Sequence, residues 1–276
     1  MEIFVSDLDG TLLNNKKEIS DYSKKEINKL IDKGMNFTIA TARTPATVVD
    51  MVKGLTLSIP AVMMNGVLIY DINEKRYIDI KKINDLAVEK ALKVLDEYNK
   101  DPFVYAIKDN HLWVYHKEFT NSIEERFYKE RCKKPLKTFA KVEDYSDAIK
   151  DGMTINIIAF DKYEVIKGIY DGIKEIEGLT TDYYEDIYEK GWYYLESYSS
   201  DASKANGIKF LSRYVDHSKI ITFGDNVNDI PMFKISDECY ALENAAEVLK
   251  EIATDVIGNN NDDAVAKFLQ QRYKEK

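Results

Sequence analysis

Several features are scarce in this chain of 276 residues, and each scarcity excludes a class of protein. Two cysteines are too few for a disulfide framework, so a reducing compartment, the cytoplasm, is expected. Five prolines, twelve glycines and no low-complexity tract argue against extended disorder. No apolar run approaches the length of a membrane span, and the first residues lack the pattern of a signal peptide. We therefore expect a soluble, folded protein with no membrane partner.

Positive charge is also in the minority. The chain has 39 Lys and Arg against 48 Asp and Glu, which gives a formal net charge of −9. That sign repels nucleic-acid backbones and anionic lipids, so neither is an expected partner. A bound phosphate ester would need a locally positive site, which a divalent cation and a lysine could supply.

The two ends of the chain share one pattern, in which short apolar strands alternate with amphipathic helices. Residues 3–6 and 37–40 near the N-terminus, and 220–223 near the C-terminus, are typical of buried strands. The last helix should be capped by Asp262 or Asp263. This alternation predicts an α/β fold, a doubly wound parallel sheet with helices on both faces.

The middle of the chain departs from that alternation. Residues 103–107 and 112–115 flank Asp109-Asn110, a pair typical of a hairpin turn. His116 follows the second run, and we interpret it as a surface residue, because histidines of one strand without partners are poor evidence for zinc.

The contrast between the middle and the ends predicts two domains. We interpret residues 83–190 as an inserted α/β domain. Residues 1–82 and 191–276 would then form one core, built from both ends of the chain.

Two carboxylates follow the first predicted strand directly, in the segment DLDGTLL that begins at Asp7. Ligands of doubly wound sheets bind beyond the carboxyl ends of the strands, where these residues fall. Of Asp7 and Asp9, one can attack an electrophile while the other passes a proton to the leaving group. Alone, the segment could also be an ordinary strand-to-loop turn.

A second acidic segment, GDNVND, follows the strand predicted at residues 220–223. Asp225 and Asp229 are one helical turn apart, so both could face one point if a helix begins here. Carboxylate oxygens suit Mg²⁺, which takes a few of them together with water and substrate phosphate. Capping of a helix by Asp or Asn would explain the same residues.

Two further polar residues complete a set. Thr41 follows the second predicted strand, and its hydroxyl and neighbouring N–H groups could hold phosphate oxygens. Lys204, near the start of a predicted helix, could neutralise the phosphate and the charge that develops on it. In a parallel sheet the ends that carry these residues and both acidic segments converge on one edge. Together they supply the groups that phosphoryl transfer requires.

In order and spacing, DLDGTLL, Thr41, Lys204 and GDNVND resemble the successive motifs of the haloacid dehalogenase superfamily. Asn65-Gly66-Val67 resembles the Asn-Gly-Ala segment of its Cof-type subfamily, subclass IIB, which inserts a large α/β cap between the second and third motifs. The resemblance covers essentially the whole chain. It implies a Rossmann-like catalytic core and a cap, residues 83–190, that selects the substrate. It also implies Mg²⁺ as cofactor, and hydrolysis of small phosphate monoesters, chiefly sugar phosphates, through an aspartyl-phosphate intermediate.

The resemblance also implies a role for each motif residue. The implied catalytic residues are Asp7, the nucleophile, and Asp9, the general acid and base. The implied metal ligands are Asp7, Asp9 through its backbone carbonyl, Asp225 and Asp229. The residues implied to hold the phosphoryl group are Thr41, Lys204 and Asn228. The residues implied to contact the substrate are Arg43 and Asn65.

Some features leave other readings open. Ala42 and Ala205 stand where the family often has glycine, which puts the local loop geometry in question. A phosphomutase would use the same residues to pass phosphate to a second hydroxyl, and a non-catalytic regulatory protein would only bind the ester. A dehalogenase would need no proton donor such as Asp9, and a phospho-accepting receiver module would need no insertion. The sequence leaves the oligomeric state open.

Overall fold

The computed structural model describes residues 2–186 and 189–274. The chain divides into two compact units: unit 1 is Met1–Asp79 with Ala202–Lys276, and unit 2 is Ile80–Asp201. Among the described residues, no helix has both the length and the apolar composition that crossing a membrane requires.

The elements are numbered along the chain. The strands are β1 (Glu2–Ser6), β2 (Asn36–Ile39), β3 (Ala61–Met63), β4 (Leu68–Asp71), β5 (Arg76–Ile80), β6 (Phe103–Lys108), β7 (His111–His116), β8 (Lys137–Lys141), β9 (Met153–Lys162), β10 (Leu179–Glu185), β11 (Trp192–Ser199), β12 (Lys219–Gly224), β13 (Glu238–Leu242) and β14 (Asp255–Ile257). The helices are α1 (Asp21–Ile31), α2 (Pro45–Met51), α3 (Asp85–Glu97), α4 (Ser122–Arg131), α5 (Ser146–Asp151), α6 (Tyr163–Ile173), α7 (Lys204–Leu211), α8 (Ile230–Phe233), α9 (Glu247–Lys250) and α10 (Ala264–Lys274).

Unit 1 contains a parallel sheet in the order β14-β13-β12-β1-β2. Ile3 and Val5 of β1 pack with Ile208 of α7, while the ring of Phe4 lies 6.2 Å from that of Tyr273 in α10. Because successive strand residues point to opposite faces, these contacts place helices on both faces of the sheet. The predicted doubly wound α/β core is therefore confirmed. A smaller sheet, β3-β4-β5, belongs to the same unit.

Helix α1 begins after Ser20, whose hydroxyl accepts a hydrogen bond from the backbone N–H of Ser23. The prediction that Asp262 or Asp263 caps α10 needs correction for Asp263. Its backbone is left-handed, with φ of 58°, and its carboxylate accepts hydrogen bonds from the hydroxyls of Ser20 and Ser23. The side chain thus ties the start of α10 to the start of α1.

Unit 2 contains a sheet in the order β10-β11-β9-β6-β7-β8, antiparallel except for the pair β7–β8. One side is covered by α3 and α6, whose Val88 and Ile166 pack against Ile157 and Leu195. On the other side the ring of Phe127 in α4 lies 4.9 Å from those of two phenylalanines, Phe103 and Phe160.

The C-terminal limit of unit 2 differs from the predicted boundary at residue 190. Strand β11 pairs along its length with β10 and β9, so residues 191–201 fall in unit 2. The aromatic run Trp192–Tyr194 is the start of this strand. The periodicity of this strand alone does not distinguish a strand of the inserted domain from a strand of the core.

The hairpin predicted around Asp109-Asn110 is present, joining β6 to β7. Both turn residues are left-handed, with φ of 53° and 57°, as a tight hairpin turn requires. The interpretation of His116 as a surface residue is wrong. Its side chain is buried, and its ring lies 4.8 Å from that of Phe119 and 5.3 Å from that of Tyr128. An aromatic cluster under α4 therefore encloses it.

Candidate active site

The motif residues of unit 1 lie at the carboxyl edge of the parallel sheet. Ser6, the last residue of β1, pairs with Phe223 of β12 and with Ile39 of β2. The ends of these three strands are therefore level. Asp7 follows β1 directly, and Thr41 and Asp225 lie just beyond the neighbouring strands.

Lys204 is the centre of the cluster. It is the first residue of α7 and only 1% exposed. Its Nζ lies 2.7 Å from Oδ1 of Asp7 and 2.6 Å from Oδ1 of Asp229. Burial opposes the charge of Lys204, but these two carboxylates together raise its pKa above the usual value. The lysine is therefore held as a cation between the two acids.

Asp229 organises the loop that follows β12. Its Oδ2 accepts hydrogen bonds from the backbone N–H groups of Asp225 and Asn226, at 3.0 and 3.1 Å. The condition that a helix begins at Asp225 is not met. The segment is a loop that leads into a 3-10 turn, Val227–Asp229, with a capping box, and α8 begins directly after Asp229. Asp229 therefore both caps this turn and pairs with Lys204.

Three further residues of unit 1, Gly10, Thr11 and Asn244, also shape the site. The hydroxyl of Thr11 donates to Oδ1 of Asp225 at 2.7 Å, and the amide of Asn244 donates to the carbonyl of Gly10 at 2.8 Å. Gly10 has φ of +74°, and a Cβ there would collide with the carboxylate of Asp225. Thr11 and Gly10 lie in the first motif, whereas nothing local marks Asn244.

The acidic groups fit a divalent cation. Carboxylate oxygens of Asp7, Asp225 and Asp229 all lie within 4.8 Å of one another. Burial raises the pKa of Asp7 well above its usual value, although Lys204 opposes the rise. Burial also raises the pKa of Asp225 to about 6, against the hydrogen bond from Thr11. One lysine does not balance the charge of three carboxylates. Hard oxygen donors such as these carboxylates are the ligands that divalent cations prefer.

Asp9 pairs with Arg43 instead of joining this cluster. The guanidinium donates from Nε to Oδ2 and from Nη2 to Oδ1 of Asp9, both at 2.6 Å. The two side chains are partly exposed, by 46% for Asp9 and 22% for Arg43. The predicted substrate contact of Arg43 is therefore, in this structure, a two-point contact with the predicted acid–base group.

The remaining predicted residues, Thr41, Asn65 and Asn228, follow β2, β3 and β12 in turn. Thr41 is buried, and its hydroxyl accepts a hydrogen bond from the backbone N–H of Arg43 at 3.2 Å. The backbone N–H of Asn65 donates to the carbonyl of Thr41 at 3.0 Å. The amide of Asn228, which is exposed, donates to Oδ1 of Asn65 at 3.4 Å. Asn65 therefore contacts both Thr41 and Asn228, and all three residues belong to unit 1.

The geometry of unit 1 agrees with the similarity of the chain to a family of known proteins. Residues 4–269 match the family model of haloacid dehalogenase-like hydrolases. The chain belongs to this family. Its resemblance to Cof-type members, inferred above from the motifs, is thereby confirmed.

Individual relatives of this hydrolase match over nearly their whole length. The 5-amino-6-(5-phospho-D-ribitylamino)uracil phosphatase YitU of Bacillus subtilis is 25% identical over 272 residues, 97% of this chain and 96% of the relative. The pyridoxal phosphate phosphatase YbhA of Escherichia coli is 22% identical over 274 residues, 97% of each. The crystal structure of TM0651 from Thermotoga maritima is 25% identical, covers 98% of this chain and 96% of that one, and superposes with a TM-score of 0.77.

Family membership and these relatives identify the protein as a phosphoric monoester hydrolase. Hydrolases of this family generally use a metal ion, and the acidic cluster of unit 1 fits one.

Proposed function

We propose that this hydrolase cleaves small phosphate monoesters, sugar phosphates foremost, with Mg²⁺ and through an aspartyl-phosphate on Asp7. The observation that carries the proposal is the buried lysine of unit 1. Lys204 holds the carboxylate of Asp7 by one oxygen, and Asp229 holds the lysine from the other side. Such an arrangement positions an acid to attack while keeping a fixed cation beside the phosphoryl group.

Asp7 supplies the nucleophile in this proposal. Its Oδ1 accepts from Lys204, and no donor among the described residues engages Oδ2, which is therefore available to attack phosphorus. As the bond from Oδ2 to phosphorus forms, the bond from phosphorus to the ester oxygen breaks. Water then attacks the same phosphorus, which releases phosphate and restores the carboxylate of Asp7.

Asp9 handles the protons in both steps. It would first give a proton to the departing ester oxygen, and then take one from the attacking water. In the structure both oxygens of Asp9 are bound by Arg43. The carboxylate must therefore exchange the guanidinium for the substrate before it can act, and Arg43 becomes free to contact the substrate in the same exchange.

Mg²⁺ would be held by Asp7, Asp225 and the backbone carbonyl of Asp9. When bound, it would neutralise the phosphoryl oxygens and the charge that develops on them. Both oxygens of Asp229 already accept hydrogen bonds, from Lys204 and from the loop backbone. Asp229 would therefore act chiefly by orienting Lys204 and Asp225.

The other predicted residues would select and hold the ester. Thr41, Lys204 and Asn228 would bind the phosphoryl oxygens, and Asn65 would contact the rest of the substrate. Unit 2 would act as the cap that chooses the leaving group. Both cysteines are free, as expected for the cytoplasmic setting that we propose.

The test is hydrolysis of para-nitrophenyl phosphate, with and without Mg²⁺. It would be run on the wild type, on Asp7→Asn, and on Asp32→Asn as a control that removes an exposed carboxylate of unit 1. We expect Mg²⁺-dependent release of phosphate by the wild type and the control, and none by Asp7→Asn. Hydrolysis that survives in Asp7→Asn would refute the assignment of the nucleophile. Transfer of phosphate to an added sugar instead of water would identify a mutase.

A further inference from the structure

Three lysines are buried among the residues that the structure describes: Lys100, Lys137 and Lys204. Lys100 and Lys204 each bridge two carboxylates. Lys137, the first residue of β8, is 6% exposed, yet its Nζ has no ion pair and no hydrogen bond within the described part of the chain. Burying a charge is costly unless an opposite charge or a hydrogen bond compensates it. Lys137 therefore lacks the anion that the other two lysines possess.

Two further cations act on Lys137. Arg131 ends α4, and Lys134 lies in the connection from α4 to β8. Burial, together with the charges of Arg131 and Lys134, lowers the pKa of Lys137 to about 8. The amine is still mostly protonated at pH 7, so positive charge collects in this part of unit 2. We call these three residues the Lys137 cluster.

The acid next to Arg131 in sequence compensates only part of this charge. A carboxylate oxygen of Glu130 accepts a hydrogen bond from Nη1 of Arg131 at 2.7 Å. Both side chains of this pair are exposed, and such surface pairs contribute at most about 1 kcal/mol. Lys134 is exposed and has no ion pair in the ranges 2–186 and 189–274. The two lysines of the cluster thus remain without an anion.

Contacting aromatic rings hold Lys137 and Arg131 in one place on the unit 2 sheet. Nζ of Lys137 lies 5.5 Å from the centre of the ring of Phe139, and Cζ of Arg131 lies 4.2 Å from that of Phe127. The ring of Phe103 lies 6.1 Å from that of Phe139 and 4.9 Å from that of Phe127. Both cations therefore rest on a single group of rings, which keeps them close despite their like charge.

The amine of Lys137 is not sealed from solvent. In the described part of the chain, the polar side-chain atoms that are fully buried and unpaired belong to Asn36, Thr154 and Asn156. Because Nζ of Lys137 is unpaired and is not one of these atoms, it keeps contact with solvent. A small anion can therefore reach it.

We propose that the Lys137 cluster binds an oxyanion of the phosphate class, either inorganic phosphate or the phosphate group of an ester. The doubly charged form of phosphate matches two unpaired lysines, whereas a carboxylate matches one. Its oxygens also fit the forked N–H donors of Arg131 and the ammonium groups of the lysines. None of these residues belongs to the proposed catalytic site, so the inference does not depend on the proposed function.

The experiment measures trace acetylation of individual lysines in the whole protein at pH 8, without added Mg²⁺. Acetic anhydride reacts with the neutral amine, so an anion that favours the charged form protects it, and peptide mass spectrometry resolves each lysine. Inorganic phosphate and methylphosphonate, which stands in for an ester and cannot be hydrolysed, would be titrated separately at an ionic strength held constant with sodium chloride. Lys93, exposed on α3, reports any general effect of the ions.

We expect saturating phosphate to slow acetylation of Lys137 about fivefold and to leave Lys93 unchanged, because an anion in contact raises the pKa of an amine. Arg131→Met should lose most of this protection. Lys133→Met, which removes an exposed positive charge from the same connection, should retain it. Stronger protection by methylphosphonate than by phosphate would identify an ester as the ligand, and the reverse would identify the free ion.

Four results would overturn the inference. They are an unchanged rate for Lys137 with both ions, equal slowing of Lys93, no acetylation of Lys137 in the ion-free protein, and full protection in Arg131→Met. The measurements on the wild type decide the question by themselves if Arg131→Met does not fold. Absence of para-nitrophenyl phosphate hydrolysis would refute the proposed function alone.

Discussion

Two buried lysines with nearly the same surroundings allow catalysis to be separated from stability. Lys204 bridges Asp7 and Asp229 in unit 1, with N···O distances of 2.7 and 2.6 Å. Lys100 bridges Glu124 and Asp161 in unit 2, with distances of 2.6 and 3.0 Å. Both lysines are at most 4% exposed. Only the first belongs to the proposed catalytic site.

Replacing either lysine by methionine keeps most of the side-chain volume and removes the charge. Each change leaves carboxylates buried without their cation, which costs about 3–5 kcal/mol of unfolding free energy. The loss in Lys100→Met should fall at the lower end, because the side chain of Asp161 is 26% exposed. Lys204→Met should also lower turnover by about 10²–10³, because a fixed cation at the phosphoryl group is lost.

The assay combines thermal unfolding with turnover of para-nitrophenyl phosphate, measured well below the lower of the two midpoints. We expect both variants to unfold at lower temperature than the wild type, and only Lys204→Met to lose turnover. Mg²⁺ should raise the unfolding midpoint of Lys204→Met by more than that of the wild type, because the acidic cluster has lost its competing cation.

Two results would refute this reasoning. Turnover in Lys204→Met equal to that of Lys100→Met would mean that the lysine of unit 1 serves stability alone. If Mg²⁺ raised the unfolding midpoints of Lys204→Met and of the wild type equally, the cation would not bind beside Lys204. The proposed ligand set would then be wrong.

Two further variants test the site and the fold. Gly10→Ala should raise the Mg²⁺ concentration needed for half-maximal activity about tenfold or more, because its Cβ would displace Asp225; an unchanged requirement in a magnesium titration would contradict this. Arg272→Met should lower the unfolding midpoint more at pH 7 than at pH 3. Arg272 lowers the pKa of Glu238, so the stabilisation exists above the ordinary pKa of Glu238 and is lost as pH falls below it. An equal loss at both pH values in a thermal scan would refute the linkage.

The fold of unit 1 was predictable because its signals are local. The apolar runs at both chain ends became parallel neighbours, as their alternation with helices indicated. The limit of unit 2 was harder to place. The residues of β11 alternate in burial like those of any half-covered strand, and only pairing with β9 and β10 assigns it to a unit.

The candidate site also combines residues that the sequence indicates with a contact that it does not. Asp7, Thr41 and Asp225 could be found from the sequence because each follows a strand. The pairing of Arg43 with Asp9 could not, since it depends on how the loop after β2 folds back toward the loop after β1.

By itself, the sequence determined the fold class and the place of the candidate site: an α/β protein in which Asp7, Thr41 and Asp225 each follow a strand of one parallel sheet. Strand position suffices for that, because parallel register brings the ends of neighbouring strands to one edge. The class of reaction came from the resemblance of the motifs to a known family. Only the tertiary structure decided what each side chain does there. It gave Lys204 two acids to bridge and paired Arg43 with Asp9. The contact of Lys204 with Asp7 joins residues 197 positions apart, and that of Arg43 with Asp9 joins residues 34 positions apart, so no local pattern encodes them.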